Sequence, residues 1–110
     1  MTESEAYQPQ QTKEAKPEQD DHVLFIGSKP LMNYVTGVVM QFTTQNAPEV
    51  AIKARGKFIA KAVDVAEVAM KRFLENQIQL RDIKINSEEF TNEEGKQIRV
   101  STIEVFLKRK

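Results

Sequence analysis

Three cations alternate along one short stretch of this chain, Lys53, Arg55 and Lys57, separated only by Ala54 and Gly56. On an extended segment, residues two apart share one side, so a strand running into a turn can present all three along one rim. Unpaired positive charges in a row repel one another and attract a polyanion such as a phosphate backbone. The same row can also act as a solvated strand edge that deters pairing with other chains. Lys29 follows Gly27-Ser28 and precedes Pro30, where a phosphate would meet a lysine and the backbone N–H groups of a helix start. Lys96 and Arg99 lie just after Asn92-Glu93-Glu94-Gly95, at the outer end of two extended segments. A two-stranded arm can reach a nucleic-acid groove with such cations, although Glu93 and Glu94 at its tip would repel phosphate.

Catalytic chemistry finds little support. The chain has one histidine, His22, and no cysteine, which removes thiolate metal sites, disulfides and Cys–His pairs. His22 is expected to be a solvated strand-end residue. The acids are scattered, with no pair spaced as in a metal or glycosidase site. Gly27-Ser28-Lys29 lacks the Gly-x-x-x-x-Gly-Lys-Ser/Thr spacing of a phosphate loop. No cofactor is expected, and an enzyme or enzyme-associated subunit is the weakest of the functional classes.

The elements that must position these cations follow from hydrophobic periodicity. Val23-Leu24-Phe25-Ile26 is an apolar run ending at Gly27 and reads as a buried strand. Pro30 suits the first position of a helix, and Leu31, Tyr34, Val35, Val38, Val39 and Phe42 recur at helical spacing, although Gly37 and the β-branched residues weaken helix propensity. Val50 and Ile52 alternate with Ala51 and Lys53 in a second strand, closed by a turn at Arg55-Gly56-Lys57. Ile59, Ala62, Val63, Ala66, Ala69, Met70, Phe73 and Leu74 form one apolar helical stripe that should stop near Asn76, with Glu67 and Lys71 as an i,i+4 pair off it. Phe73 belongs to that stripe and is expected in the core, unless its place near the helix end leaves it exposed for association. Residues 78–90 and 96–107 make a long hairpin, in which Ile83 and Ile85 alternate on one strand and Ile103, Val105 and Leu107 on the other. Gly95 is placed to take positive φ in its turn. The apolar face fades toward the tip, so the hairpin should project. The expected fold class is α/β: a compact β-α-β-α-β-β domain with a mixed four-stranded sheet, two helices and a projecting C-terminal β-hairpin.

With 110 residues the chain is long enough for one domain. Residues 1–21 carry six acids and two bases, a balance of −4, and almost nothing apolar. They are expected to form a disordered acidic tail. Residues 22–110 carry fourteen bases and ten acids, a balance of +4. The formal net charge of zero therefore hides a basic body behind an acidic tail. No apolar run approaches the roughly 18 residues of a membrane span, and the N-terminus has no apolar core of a secretory signal. A soluble intracellular protein, with no membrane partner, is the expectation.

Several stretches together resemble one family. Leu24-Phe25-Ile26-Gly27-Ser28-Lys29-Pro30-Leu31-Met32-Asn33-Tyr34-Val35 resembles the opening motif of the Alba family of archaeal chromatin proteins. Ile52-Lys53-Ala54-Arg55-Gly56-Lys57 is similar to the second motif of that family, Lys61-Ala62-Val63-Asp64 and Arg72-Phe73-Leu74 to its second helix, and Arg99-Val100-Ser101-Thr102-Ile103-Glu104 to its last strand. The resemblance spans residues 22–110. It implies a fold like the C-terminal domain of the third bacterial initiation factor and a homodimer, or a heterodimer where a paralogue replaces one chain. It implies phosphate contacts at Lys29, Arg55 and Lys57, with Lys53 a weaker candidate, and arm contacts at Lys96 and Arg99. Phe73 would lie where neighbouring dimers touch on DNA. Two departures stand out. Ser28 replaces the first of two adjacent lysines common in the family, which removes a cation discussed as an acetylation target and leaves Lys29 as the candidate modification site; the acidic tail and acidic hairpin tip are unusual.

The function expected is sequence-tolerant binding and coating of double-stranded DNA by a dimeric chromatin or nucleoid protein that also binds RNA, in the cytoplasm on the chromosome. The alternative is an RNA-binding protein acting in RNA folding or processing, as some family relatives do within ribonucleoprotein enzymes. With no conspicuous aromatic stacking platform in the sequence, duplex is favoured over single strands.

Overall fold

The fold is built on two parallel strands whose following loops leave at the same end. In the computed structural model, which describes residues 22–110, β1 (Val23–Phe25) pairs in parallel with β2 (Glu49–Arg55). Helix α1 (Leu31–Thr43) connects them. A 3₁₀ turn over Gly56–Phe58 then leads into α2 (Ile59–Val68) and a five-residue π turn over Ala69–Phe73. The chain finishes with β3 (Ile78–Thr91) and β4 (Gln97–Arg109). The sheet order is β1-β2-β4-β3, with β4 antiparallel to both its neighbours. This is the expected mixed four-stranded sheet with two helices and a C-terminal hairpin. The expected tail of residues 1–21 lies outside the described residues.

Helix α1 begins one residue later than expected. Pro30 caps it with an extended ψ of 150° in place of occupying its first turn. Gly37, a weak helix former, sits where α1 packs on β1: a Cβ there would lie 3.4 Å from two Leu24 methyls, in ordinary van der Waals contact. The far end of α1 is held by Arg109, whose guanidinium donates to the Phe42 carbonyl, to Ala47 O at 3.0 Å and to Asn46 Oδ1 at 3.0 Å. A cation on the last carbonyls of a helix opposes the negative end of its dipole.

The core lies between the helices and one face of the sheet. Val35, Val38 and Phe42 of α1, Val50 and Ile52 of β2, Ala62 and Val65 of α2 and Leu107 of β4 are all buried. Fully burying side chains of the Val, Leu, Ile or Phe class stabilises the fold by about 1.5–3 kcal/mol each. The stripe on the second helix needs two corrections. Val63 is half-exposed, and so is Phe73 at 49 %, while Leu74 is buried. The π turn, closed by Leu74 N–H to Ala69 O at 2.9 Å, accounts for Leu74: a wider turn advances each residue by less than the usual 100°. Leu74 therefore stacks over the buried Ala69 and keeps the core place expected of it. The core expectation for Phe73 does not hold.

The hairpin also differs from expectation in one respect. Ile83 and Ile85 face the same side as the buried Val105 and Ile103 opposite them, yet they are exposed by 49 % and 79 %. The alternation is correct, but β3 is an edge strand with no helix over it. Leu80, opposite the buried Leu107, is exposed as well. A register shift between Leu80 and Asp82 keeps the apolar residues on that face.

Candidate nucleic-acid interface

Topology gathers the cations at one end of the sheet. Because β1 and β2 run in parallel, the segment Gly27–Pro30 and the turn Gly56–Phe58 both leave from their carboxyl ends. In open α/β sheets that end is where ligands collect. β2 ends its pairing with β4 at Arg55 opposite Thr102. Beyond that level only Ser87–Thr91 and Gln97–Ser101 pair with each other, so the hairpin continues past the loops as a two-stranded arm. It stretches the molecule to 48 × 26 × 23 Å. Its turn has Gly95 at φ 86°, as expected, and the Asn92 carboxamide oxygen accepts from Glu94 N–H and Lys96 N–H at 2.9 Å each.

Lys29 projects from the first loop and is exposed. The backbone N–H groups expected to help it are committed elsewhere: Gly27 N–H and Lys29 N–H donate to the Tyr34 hydroxyl at 2.9 and 3.2 Å. Lys57 lies in the 3₁₀ turn, 5.4 Å from the Phe58 ring. The expectation that Lys53, Arg55 and Lys57 line one strand side therefore narrows to two. Arg55 is the last residue of β2 and shares the helix-free face of the sheet with Lys53, while Gly56, at φ 59°, turns the chain before Lys57.

Three of the six cations have carboxylate partners. Lys53 Nζ is 3.6 Å from Glu104 Oε2, on the residue directly opposite in β4. Arg55 is 3.7 Å from Glu88 and 5.9 Å from the Phe90 ring, which links the end of β2 to the arm. Arg99 donates through Nε and Nη2 to Glu89 Oε2 at 3.2 and 2.7 Å. Lys29, Lys57 and Lys96 make no ion pair among the described residues. The paired cations are partly to largely solvent-exposed, and exposed pairs contribute about 0–1 kcal/mol. A polyanion can therefore compete for the guanidinium groups at small cost. Lys61, which carries no cue in its local sequence, reaches the first loop from α2 and donates to Gly27 O at 2.8 Å and to Lys29 O.

The helix-free face also carries aromatics. Phe25, opposite Lys53, is exposed by 53 %, and Phe90 of the arm is exposed by 42 %. Phe106 lies beneath the Arg81 and Lys84 side chains, 4.8 and 5.4 Å from its ring. The expectation of no aromatic platform is thus too strict, because strand alternation places rings from distant segments on one face. His22 is also less solvated than expected: its Nδ1 is 2.8 Å from Gln41 Oε1, in a partly buried contact. Among the described residues no group of three or more His, Asp or Glu is placed to hold a metal, and no helix is long and apolar enough to cross a membrane.

The chain is similar to several known proteins of one family. The Alba family model matches residues 22–87. A protein of Methanocella arvoryzae named DNA/RNA-binding protein Alba is 51 % identical over 90 residues, covering 82 % of this chain and 92 % of its own. A protein of the same name from Nanoarchaeum equitans is 57 % identical over 88 residues, covering 79 % and 97 %. Among solved structures, Alba from Thermoplasma volcanium superposes with a TM-score of 0.72 at 45 % identity, covering 79 % of this chain and 99 % of that one.

Proposed function

This chain belongs to the Alba family, and from that premise we propose that it binds and coats double-stranded DNA, with little regard to sequence, as a dimeric chromatin protein that also takes RNA. The observation that carries this reading is the common end of β1 and β2. Two loops bearing Lys29 and Lys57 leave the sheet there beside Arg55, and the arm bearing Lys96 and Arg99 runs on from it. Lys29, Arg55 and Lys57 contact phosphates from the body, Lys53 contributes less because it lies two residues back from the end of β2, and Lys96 and Arg99 follow the groove. None of these groups is a bidentate base reader held rigidly in a recognition helix, so affinity comes from phosphates and sequence preference is weak. The chain works in the cytoplasm on the chromosome, with no catalytic role.

The partner in the dimer is a second copy or a close paralogue. The apolar strip of Leu80, Ile83 and Ile85 supports this, because a second chain laid along it supplies the cover that the helices of one chain do not. Phe73, half-exposed beyond the π turn, serves contacts between neighbouring dimers. Lys29 is exposed and is the candidate modification site of the first loop.

A second reading, RNA folding or processing, is favoured by the rings of Phe25 and Phe90 beside Lys53 and Arg55, since unstacked bases lie on such aromatic–cation pairs. Competition between a DNA duplex and an RNA of matched sequence, offered double- and single-stranded, decides between the two. Duplex DNA should compete at least as well as either RNA. Preference for single-stranded RNA by more than tenfold would move the assignment to the second reading.

A further inference from the structure

We propose that Lys61 is a positioning residue: together with Tyr34 it locks the backbone of Gly27–Lys29, and so fixes where the Lys29 side chain is offered to phosphate. The inference rests on the binding role proposed for that loop.

Among the described residues, Gly27 to Lys29 make no backbone-to-backbone hydrogen bond outside the regular elements, whereas their neighbours Ile26 and Pro30 do. Their polar groups are satisfied by two side chains. The Tyr34 hydroxyl, one helical turn into α1, accepts from Gly27 N–H and Lys29 N–H. The Lys61 ammonium, from the first turns of α2, donates to the Gly27 and Lys29 carbonyls. Four backbone groups are thus held at both ends of a three-residue span. An ammonium has three donors and no acceptor, so two are spent on the loop. Its charge also lies 5.3 Å from the Tyr34 ring and 5.9 Å from the Phe58 ring, so the same lysine spans the first loop and the turn that carries Lys57. Gly27 belongs to the device, because a Cβ there would be 3.3 Å from the Tyr34 hydroxyl, tighter than ordinary contact. An ordinary phosphate-contacting lysine would extend into solvent; this one is half-buried and turned back on its own chain.

A positioning role separates from a direct phosphate contact by two measurements on the full chain. The first needs no nucleic acid: amide hydrogen exchange at Gly27 and Lys29. Lys61→Met should accelerate both by at least about tenfold, with the thermal midpoint of unfolding little changed, and Lys61→Arg should restore most of the protection. The second is a double-mutant cycle read by affinity for a DNA duplex. Lys61→Met should weaken binding by roughly tenfold in the natural background but have almost no effect in Lys29→Ala, because the side chain being positioned is already gone. Unchanged exchange in Lys61→Met overturns the proposal, and so do losses that add in full across the two sites, which would make Lys61 an independent phosphate contact. If Lys61→Met fails to fold, Tyr34→Phe, which removes only the hydroxyl, gives the same two readouts, and the same outcomes uphold or overturn the latch. Accelerated exchange in a protein that binds no duplex at all would uphold the latch and overturn the binding role.

Discussion

Arg55 and Lys57 lie two residues apart yet are predicted to behave differently. Arg55 holds Glu88 and faces the Phe90 ring, whereas Lys57 faces only Phe58 among the described contacts. Both Arg55→Ala and Lys57→Ala should weaken duplex binding on the order of tenfold, equally on all sequences, and lower the salt slope by about one. Only Arg55→Ala should also loosen the arm, seen as faster amide exchange over Glu88–Phe90. The carboxylates make an opposite prediction. Glu89 holds Arg99 in a pair whose side chains are exposed by 56 % and 70 %, so severing it costs the fold little. Glu89→Gln should tighten binding by about two- to fivefold at low salt, measured by titration with labelled duplex; weaker binding would mean that Glu89 orients Arg99 for contact. The cations themselves were legible from residue type and spacing. Their partners were not, because Glu88 and Glu104 reach Arg55 and Lys53 through strand register, and Lys61 reaches its loop across more than thirty residues. Nothing local in a sequence encodes those distances.

Among the elements, periodicity was a sound guide wherever each helix or strand had a packing partner within the chain. Both helices, the hairpin and the turn at Gly95 lie where apolar spacing and turn chemistry place them. Departures occur where geometry is set by something other than alternation. The π turn rebuilds the end of the second helix, where Phe73 is left half-exposed. The edge position of β3 leaves Ile83 and Ile85 uncovered although their phase is correct. A strand pattern reports which side a residue faces, not whether a layer lies above it. Burying such side chains against a second chain would be worth about 1.5–3 kcal/mol each. Ile85→Asp places a charge there and should convert a dimer to a folded monomer, measured by sedimentation. A variant that stays dimeric, or a natural protein that is already monomeric, would show that this strip is not the dimer contact. Because Ile85 is 79 % exposed in one chain, the substitution should spare the fold itself.

For the molecule as a whole, charge is arranged by topology more than by composition. Formal neutrality hides a body of +4, and parallel pairing of the first two strands sends its loops out at one end, with the arm extending from the same end. Six candidate cations per chain become twelve in a dimer, and simultaneous neutralisation of about six phosphates would release enough counterions to dominate the affinity. The most direct test is the binding constant of the full-length protein for a DNA duplex as a function of salt. Between 50 and 200 mM the affinity should fall by ~10³-fold or more, linearly on logarithmic axes. An affinity that stays flat across that range would contradict phosphate contact as the source of binding.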